Sequence, residues 1–403
     1  MAPGIRENLR PFLLLVLING FVGAMVGIER SILPNLAQAE FGLAAKATAV
    51  SFLITFGAVK ALGNLLAGGL ADRFGRRRVL LAGWLAGFPV PLIVIFAPGW
   101  GWIVVANALL GINQALCWSA TVIMKIDLAG PGSRGVATAA NEWAGYVGVA
   151  LAALASGWLA GLYGLRPAPF YLGIGIAAAG LLFSLFARNT GGDTRGEGIS
   201  GSRRKVSSFL KVFAVTSWKN RTLLAASQAG LVTNLKDGVI WGLVPIYLAE
   251  RGLSYHQIGL VAAGYPLVWG FCQLVTGPLS DWWGRKWLIV AGMGIQGAGL
   301  ALFRFSQSFS QWLGAAAAIG IGTAMVYPLL LAVVSDIAED RWRASALGVY
   351  RFWRDSGYFL AGLGVGYLAD MLGSGSTFAL VSAILLLSTA VSATMMGETH
   401  GRQ

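Results

Sequence analysis

The chain contains twelve predominantly apolar runs, and their length limits the folds open to it more than any other feature. A bilayer core of about 30 Å needs roughly 20 apolar residues in one helix. The runs are 11–34, 47–71, 78–97, 102–127, 137–162, 168–187, 222–249, 256–280, 287–306, 311–336, 344–369 and 376–397. Strands of an outer-membrane barrel would be alternating segments of about 10 residues, a pattern absent here. The sequence therefore predicts an all-α polytopic membrane protein with twelve transmembrane helices.

Composition excludes the other broad classes of chain. Only 12% of the residues are charged and 56% are hydrophobic, whereas about 25% of residues are charged in soluble domains. A soluble fold would expose too much apolar surface, and a disordered chain would be polar and poor in aromatic residues. The first run is longer than the roughly 7–15 apolar residues of a signal peptide, so we expect it to remain as a helix.

The net charge of +13 is explained by the distribution of Lys and Arg between the two sides of the membrane. With the N-terminus in the cytoplasm, twenty Lys and Arg residues fall in cytoplasmic segments, four in outside loops and six within the runs. Such an excess of basic residues on one side is the positive-inside pattern. We predict a multi-pass protein of the cell membrane, in bacteria the inner membrane, with both termini in the cytoplasm. The same count explains the basic charge without a nucleic acid as partner.

The chain repeats itself after 209 residues. This shift aligns residues 70–77 with 279–286. It also aligns Asp127 with Asp336, Arg134 with Arg343, Trp118 with Tyr327, Glu142 with Arg351 and Gly148 with Gly357. Two parallel repeats of six helices are a transporter architecture, with the substrate site near the middle of the membrane between them. The predicted organisation is an N-terminal half (1–187), a cytoplasmic linker (188–221) and a C-terminal half (222–403).

The repeated loop carries a resemblance to a known family. The stretch Gly-Gly-Leu-Ala-Asp-Arg-Phe-Gly-Arg-Arg-Arg at 68–78 resembles the loop signature of the major facilitator superfamily. Its counterpart at 277–286 occupies the matching place, with Trp282 where a basic residue is common. The resemblance covers essentially the whole chain and does not identify a subfamily. It implies two pseudo-symmetric six-helix halves that rock around a central site.

The same loops are the predicted gate at the cytoplasmic ends of the helices. A carboxylate at a helix end can pair with cationic side chains and with the positive N-terminus of a neighbouring helix. We expect such pairs to form when the cytoplasmic side closes; ordinary positive-inside anchoring is the alternative. The gating residues predicted are Gly68, Asp72, Arg73, Gly75, Arg76, Asp281, Gly284 and Arg285.

Charged residues inside the predicted helices point to a central site. The runs hold six basic and six acidic residues, although one charge at the bilayer centre costs about 2.5–3.5 kcal/mol. We predict that the deeper ones line a cavity together with polar and aromatic stripes, the alternative being structural salt bridges between helices. The site candidates are Glu29, Arg30, Lys60, Asn113, Gln114, Trp118, Glu142, Tyr146, Lys236, Asp237, Trp241, Tyr265, Trp269, Gln273, Tyr327, Arg351, Arg354, Asp355 and Tyr358.

Carboxylates are the predicted proton carriers. The chain has only two histidines, His256 and His400, both at helix ends or in the tail. A proton relay would then depend on a buried Asp or Glu. Glu29 and Asp237 lie in the first helix of each half, each beside a basic residue, and are the candidates.

Motifs of enzymatic chemistry are missing from the sequence. It has no phosphate-binding G-x-x-x-x-G-K-[ST] loop, no H-E-x-x-H, no cysteine cluster and no G-x-S-x-G. We therefore predict no enzyme, no metal and no cofactor, with the proton gradient as the coupling source. Four glycines of the fifth run, at 145, 148, 157 and 161, loosely resemble the glycine motif of superfamily drug antiporters, without its Gly-Pro.

The predicted function is secondary active transport of a small organic solute by alternating access, with proton-coupled export as the first hypothesis. The alternatives are uptake of an organic anion, recognised by Arg351 or Arg354 with Lys60, and a sensor that resembles a transporter but does not turn over. The predicted partners are a small-molecule substrate and the lipid bilayer, with no nucleic acid, and the predicted oligomeric state is a monomer.

Overall fold

The computed structural model describes residues 4–130, 133–190, 209–339 and 342–399. The side chains of Asp72, Arg134 and Asp281 lie outside that description, although the helices that contain them are included. Most of the predicted linker, at 191–208, is outside it as well. Within the described residues the chain is helical and forms no strand, in agreement with the predicted all-α class.

Twelve long helices follow the twelve predicted runs. They are α1 (Leu9–Ala39), α2 (Phe52–Phe74), α3 (Arg76–Phe96), α4 (Trp100–Ala129), α5 (Arg134–Tyr163), α6 (Ala168–Leu185), α7 (221–250), α8 (Tyr255–Trp283), α9 (Lys286–Phe305), α10 (Phe309–Ile337), α11 (Arg343–Leu372) and α12 (Ser374–Met395). Short helices at Lys46–Ala49 and Phe209–Ala214 precede α2 and α7. We call α1–α6 the N half and α7–α12 the C half.

Ten of these helices are long and apolar enough to cross a membrane, counted over the described residues. The other two are α7 and α11, which contain four of the eight buried charged residues in the described part of the chain. Lys236 and Asp237 lie in α7, and Arg351, Arg354 and Asp355 lie in α11. Charge inside a spanning helix is expensive unless protein surrounds it. We therefore expect α7 and α11 to lie near the centre of the bundle.

Two helices are interrupted where the sequence places proline. In α3 the helix is broken at Phe88, just before Pro89. In α7 the segment Val239–Leu243 winds as a π-helix just before Pro245. Proline has no backbone N–H to donate and its ring crowds the preceding turn, and wide turns of this kind are frequent at functional sites.

Small residues let α1 and α5 pack backbone against backbone. A Cβ on Gly23 would overlap the carbonyl of Gly145, and a Cβ on Gly148 would overlap the carbonyl of Gly20. Close approach through small residues is the usual basis of helix packing in membranes.

Glycines also bring the two halves together at one end of the bundle. We call the end that holds Leu9 and Met395 the terminal end and the opposite one the distal end. Towards the distal end, a Cβ on Gly157 of α5 would lie 2.7 Å from the Cα of Gly259 in α8. On the other side of the bundle, a Cβ on Gly366 of α11 would lie 2.7 Å from the backbone nitrogen of Ala47. The halves are in backbone contact at both places.

Polar contacts add to this closure. The backbone nitrogens of Lys46 and Ala47 donate to the two carboxylate oxygens of Asp370 in α11, over 2.8 and 2.9 Å. The Lys46 ammonium pairs with Glu250 at 2.8 Å and donates to the hydroxyl of Ser374 at 3.1 Å. The acceptors all belong to the C half. The structure therefore records a state in which the distal end is closed.

Candidate functional site

A cavity lies between the two halves at the middle of the bundle, with walls from α1, α2, α4, α5, α7, α10 and α11. Ten of the predicted site residues line it: Lys60, Gln114, Trp118, Glu142, Tyr146, Trp241, Tyr327, Arg351, Arg354 and Tyr358. Its volume is about 20 Å³, which admits about one or two water molecules.

Five further residues line the cavity and were not among the candidates. They are Val26, Phe56, Asn64, Ser119 and Val149. Two of them carried a usable signal in the sequence, because Phe56, Lys60 and Asn64 are spaced by four and so share one face of α2. Val26 and Val149 are apolar, and nothing in the sequence separates them from ordinary packing residues.

Asp355 is the centre of a hydrogen-bond network that joins the two halves. Its carboxylate accepts two bonds of 2.9 Å from the neighbouring Arg354 guanidinium. It also accepts a hydrogen bond of 2.9 Å from the amide of Asn234 in α7 and one of 2.5 Å from the amide of Asn64 in α2. Asp355 is fully buried. The carboxylate is therefore neutralised by Arg354 and lies behind the cavity wall that Arg354 forms.

A second network surrounds Lys236 and Asp237, which form an ion pair and are both fully buried. The Lys236 ammonium donates to the hydroxyls of Tyr265 and Thr323, over 2.7 and 3.0 Å. Tyr265 and Tyr358 donate to the Asp237 carboxylate over 2.5 and 3.3 Å. Since Tyr358 also lines the cavity, its hydroxyl connects this buried pair with the site.

Glu29 and Arg30 are buried without hydrogen-bond partners. None of their side-chain oxygen and nitrogen atoms is bonded to another described residue, and the two side chains are 2% and 1% exposed. The guanidinium carbon of Arg30 lies 4.3 Å from the ring centroid of Phe56 and 5.5 Å from that of Trp241. Cation–π contacts with both halves thus stabilise Arg30, whereas the Glu29 carboxylate accepts no well-formed hydrogen bond from the described residues and has the Arg30 charge beside it.

Glu142, Arg351 and Lys60 face the cavity with incomplete partners. The Trp118 indole donates to Oε1 of Glu142 at 2.7 Å, whereas Oε2 is buried and unbonded. Among the described residues, the single hydrogen bond of Arg351 is the one from its Nη1 to the hydroxyl of Ser119, at 3.5 Å. Lys60 lies over aromatic rings, and among the described residues it forms no ion pair. The cavity thus contains two cations that form no ion pair and one carboxylate oxygen that accepts no hydrogen bond, counted over the described residues.

Aromatic rings fill the contact between the halves beside these charges. Tyr146 of α5 stacks on Trp269 of α8 with ring centroids 3.5 Å apart, and Trp269 meets Tyr327 edge-on at 4.7 Å. Trp241 and Tyr358 stack at 5.5 Å. Trp269 and Tyr265 are fully buried behind the rings that line the cavity.

The remaining polar candidates lie in the packing around the site. The Asn113 amide donates to the carbonyl of Gly83 at 3.0 Å. Gln114 lines the cavity, and its amide donates to the carbonyl of Val22 at 2.8 Å. Gln273 is buried, and its side-chain atoms meet no hydrogen-bond partner in the described part of the chain.

The two repeated turns at the terminal end have equivalent ion pairs. Gly75 and Gly284 both have a positive φ, of 88° and 86°, a conformation that glycine adopts without strain. After the first turn, Arg76 pairs with Asp127 at 3.2 Å, and Thr190 donates to the same carboxylate at 2.7 Å. The residues 209 positions later repeat this arrangement. Arg285 pairs with Asp336, whose carboxylate also accepts a hydrogen bond of 2.9 Å from the hydroxyl of Thr399. Each set lies within one half.

The other predicted gating residues divide into two groups. Gly68 has open space where a Cβ would be, and Arg73 is exposed with its guanidinium over the Phe74 ring. The carboxylates of Asp72 and Asp281 lie outside the described residues. A latch through these carboxylates remains a prediction.

Glu398 stabilises the second turn, and its removal gives a test. Its carboxylate accepts hydrogen bonds from the backbone nitrogens of Arg285 and Lys286 at the start of α9, over 2.9 and 3.2 Å. Helix caps of this kind contribute about 1 kcal/mol. We expect Glu398→Ala to lower the melting temperature of the purified protein. Asn189→Ala, at the equivalent position beside Gly75, is the control and should have a smaller effect; equal effects would contradict the capping role.

Comparisons with known proteins agree with this architecture. The family model described as Major Facilitator Superfamily matches residues 12–235 and 226–402. An MFS-type transporter of Salmonella typhimurium is 24% identical over 387 residues, which cover 91% of each chain. The quinolone resistance protein NorA of Staphylococcus aureus is 26% identical over 135 residues, or 33% of this chain and 34% of that protein.

Solved structures show the same fold. A POT family transporter in complex with a thioalcohol-conjugated peptide superimposes with a TM-score of 0.77 at 15% identity, covering 95% of both chains. A POT family transporter in complex with 5-aminolevulinic acid gives a TM-score of 0.76, also at 15% identity and 95% coverage. At this identity the likeness concerns the fold alone.

Proposed function

The chain belongs to the major facilitator superfamily, and we propose that it moves a small organic anion across the membrane by proton-coupled alternating access. That it is a transporter and not an enzyme follows from the family. The anionic substrate is our inference from one observation: Lys60 and Arg351 face the central cavity without a carboxylate partner among the described residues. Half-buried cations without a counter-charge favour an anionic ligand that supplies the missing acceptors.

Alternating access is supported by the closed distal end. The cavity is a dead end on that side, because Gly157 and Gly366 bring the halves into backbone contact. Exposure to the distal side requires these contacts to separate. We propose that the terminal end is cytoplasmic, as the distribution of Lys and Arg indicates.

Two directions of transport each have an observation in their favour. Export is favoured by the similarity to the quinolone resistance protein NorA. Uptake with protons is favoured by the positive cavity, because an inside-negative membrane opposes the entry of an anion, and a co-transported proton cancels its charge. Proteoliposomes with an imposed pH gradient discriminate between the two. An acidic exterior should drive accumulation in a symporter and release in an antiporter.

Transport itself is tested by counterflow of a labelled substrate between the two sides of proteoliposomes. Candidates come first from a thermal-shift screen of organic acids, since a true ligand stabilises the folded protein by mass action. Exchange of a stabilising acid would support the proposal. Binding without exchange would support the sensor alternative. The variants Lys60→Gln and Arg351→Gln should each weaken binding of that acid, since each removes a cation from the cavity.

Glu29 and Asp237 are the proposed proton sites. We expect Glu29→Gln to abolish accumulation driven by a pH gradient while leaving counterflow, because the amide cannot exchange a proton. Since Glu29 accepts no well-formed hydrogen bond from the residues that the structure describes, this near-isosteric change should leave packing intact. Asp237→Asn should also abolish proton-driven accumulation, and the double variant Lys236→Gln/Asp237→Asn separates this effect from the cost of leaving the buried Lys236 ammonium without its carboxylate. Glu40→Gln, just beyond the distal end of α1, is the control. Full proton-driven accumulation in Glu29→Gln and in Asp237→Asn would refute the assignment.

A further inference from the structure

We propose that the cavity selects a dipolar organic solute, with its ammonium group at Glu142 and its carboxylate at Arg351 and Lys60. The inference rests on the proposed function, because it narrows the substrate class of the same site from any small organic anion to one that also carries a positive charge.

Glu142 supplies the acceptor for a cation. Its Oε1 is occupied by the Trp118 indole at 2.7 Å and by the Asn141 amide at 3.3 Å. Its Oε2 is buried at the cavity wall and has no partner among the described residues. An unsatisfied buried carboxylate oxygen is costly, whereas an N–H donor from a ligand removes that cost. The rings of Trp118 and Tyr146, with centroids 5.4 Å apart, add faces that attract a cation.

Arg351 and Lys60 supply the donors for a carboxylate. The Nε of Arg351 is buried without a partner, and its Nη1 reaches Ser119 only at 3.5 Å. The Lys60 ammonium is 5.3 Å from the ring centroid of Tyr358 and forms no ion pair with a described residue. Arg354 differs, because its Nε and Nη2 already donate hydrogen bonds of 2.9 Å to the carboxylate of Asp355.

Glu142 and Arg351 do not form an ion pair with each other, and the proposed ligand class follows mainly from this observation. They occupy equivalent positions in the two repeats, 209 residues apart, one in α5 of the N half and one in α11 of the C half. A structural salt bridge would close to the distance seen between Arg354 and Asp355, 2.9 Å. Within the described part of the chain neither residue forms an ion pair. The two halves thus present unpaired charges of opposite sign to the same cavity, which matches a ligand with a charge of each sign.

The same arrangement works against a simple anion. A monocarboxylate bound to Arg351 would leave Glu142 desolvated and without a donor, and a monoamine bound to Glu142 would leave the two cations unneutralised. Each singly charged solute therefore binds at a free-energy cost that a dipolar ligand avoids. A site can discriminate between related solutes through such costs.

Binding of matched probes tests the inference. The probes are ω-amino acids from glycine to 6-aminohexanoate, each compared with the unsubstituted carboxylate and the amine of equal chain length, on the purified full-length protein by thermal shift and calorimetry. We expect the best dipolar probe to bind at least about tenfold more tightly than both matches, or about 1.4 kcal/mol. If at every length a singly charged match binds as well as the dipolar probe, or no dipolar probe binds, the inference is wrong.

Variants of the cavity residues test which residue binds the ammonium group of the probe and which binds its carboxylate. Glu142→Gln should weaken the best dipolar probe about tenfold or more and leave the matched carboxylate unchanged or tighter, whereas Arg351→Gln should spare the matched amine. Glu40→Gln, outside the cavity, should change none of these affinities. The charge exchange Glu142→Arg/Arg351→Glu keeps both charges in the cavity and should restore the preference for the dipolar probe, even if a single variant folds poorly. Retained preference in a folded Glu142→Gln protein would overturn the role of Glu142.

Counterflow separates this inference from the proposed function. If carboxylates and dipolar probes exchange equally well, the dipolar selectivity is wrong and anion transport stands. If the dipolar probe binds with the expected preference but no probe exchanges, the binding site stands and transport is wrong.

Discussion

Asp355→Asn is expected to destabilise the protein by about 3–5 kcal/mol, the usual cost of breaking a buried ion pair from one side. The carboxylate is fully buried and accepts hydrogen bonds from Arg354, Asn234 and Asn64. Its removal leaves the Arg354 guanidinium without a counter-charge in the middle of the bundle. Since the network also joins α2 to α11, transport should be lost. The melting temperature in detergent and counterflow in proteoliposomes measure the two effects.

The double variant Arg354→Gln/Asp355→Asn distinguishes loss of a charge pair from loss of packing. It removes both charges together, so no uncompensated ion stays buried, and stability should return to within about 1 kcal/mol of the unchanged protein, as expected when a buried pair is replaced as a unit. Transport should remain lost because Arg354 faces the cavity. A double variant as unstable as Asp355→Asn would show that the shape of the network, and not its charge, stabilises the centre.

The fold could be predicted almost completely from sequence because its determinants are local. Apolar runs of bilayer length produce spanning helices, and all twelve predicted runs coincide with helices. The differences concern the breaks. The second run was predicted to start at residue 47, but the helix that continues into the membrane begins at Phe52, and the seventh run contains the π-helical segment Val239–Leu243. Hydrophobic periodicity does not mark such breaks, although Pro245 follows the π-helical segment in the sequence.

The site could be predicted only in part, and three neighbouring acid–base pairs show why. In sequence Glu29-Arg30, Lys236-Asp237 and Arg354-Asp355 look alike. The second and third form ion pairs. Glu29 and Arg30 do not pair, because Arg30 turns towards aromatic rings.

Adjacent residues on a helix point in directions about 100° apart, so pairing depends on which side chains the neighbouring helices present. Arg354 is turned onto Asp355 while Asn64 and Asn234 complete the carboxylate. Those partners come from α2 and α7, more than 100 residues away in the chain. A face of one helix is readable from its own spacing, whereas a contact between distant helices is not.

Gly366→Val is expected to hold the distal end open and to abolish transport. A Cβ on Gly366 would lie 2.7 Å from the backbone nitrogen of Ala47, and that nitrogen is fixed by its hydrogen bond to Asp370. Overpacking of this kind costs about 1–3 kcal/mol. Only the distally closed state contains the contact, so the cost shifts the equilibrium about 5–150-fold towards the distally open state.

Gly364 supplies a control on the same helix, because a Cβ there meets nothing within 4 Å. Gly364→Val should therefore leave transport unchanged. With Cys117 and Cys272 replaced by serine, a cysteine at Val50, which is fully buried near the distal end, reports the conformation. Its maleimide labelling from the distal side should rise at least about fivefold with Gly366→Val and stay low with Gly364→Val. Transport lost without increased labelling would mean that Gly366 matters for packing within one state, and alternation at this interface would have to be abandoned.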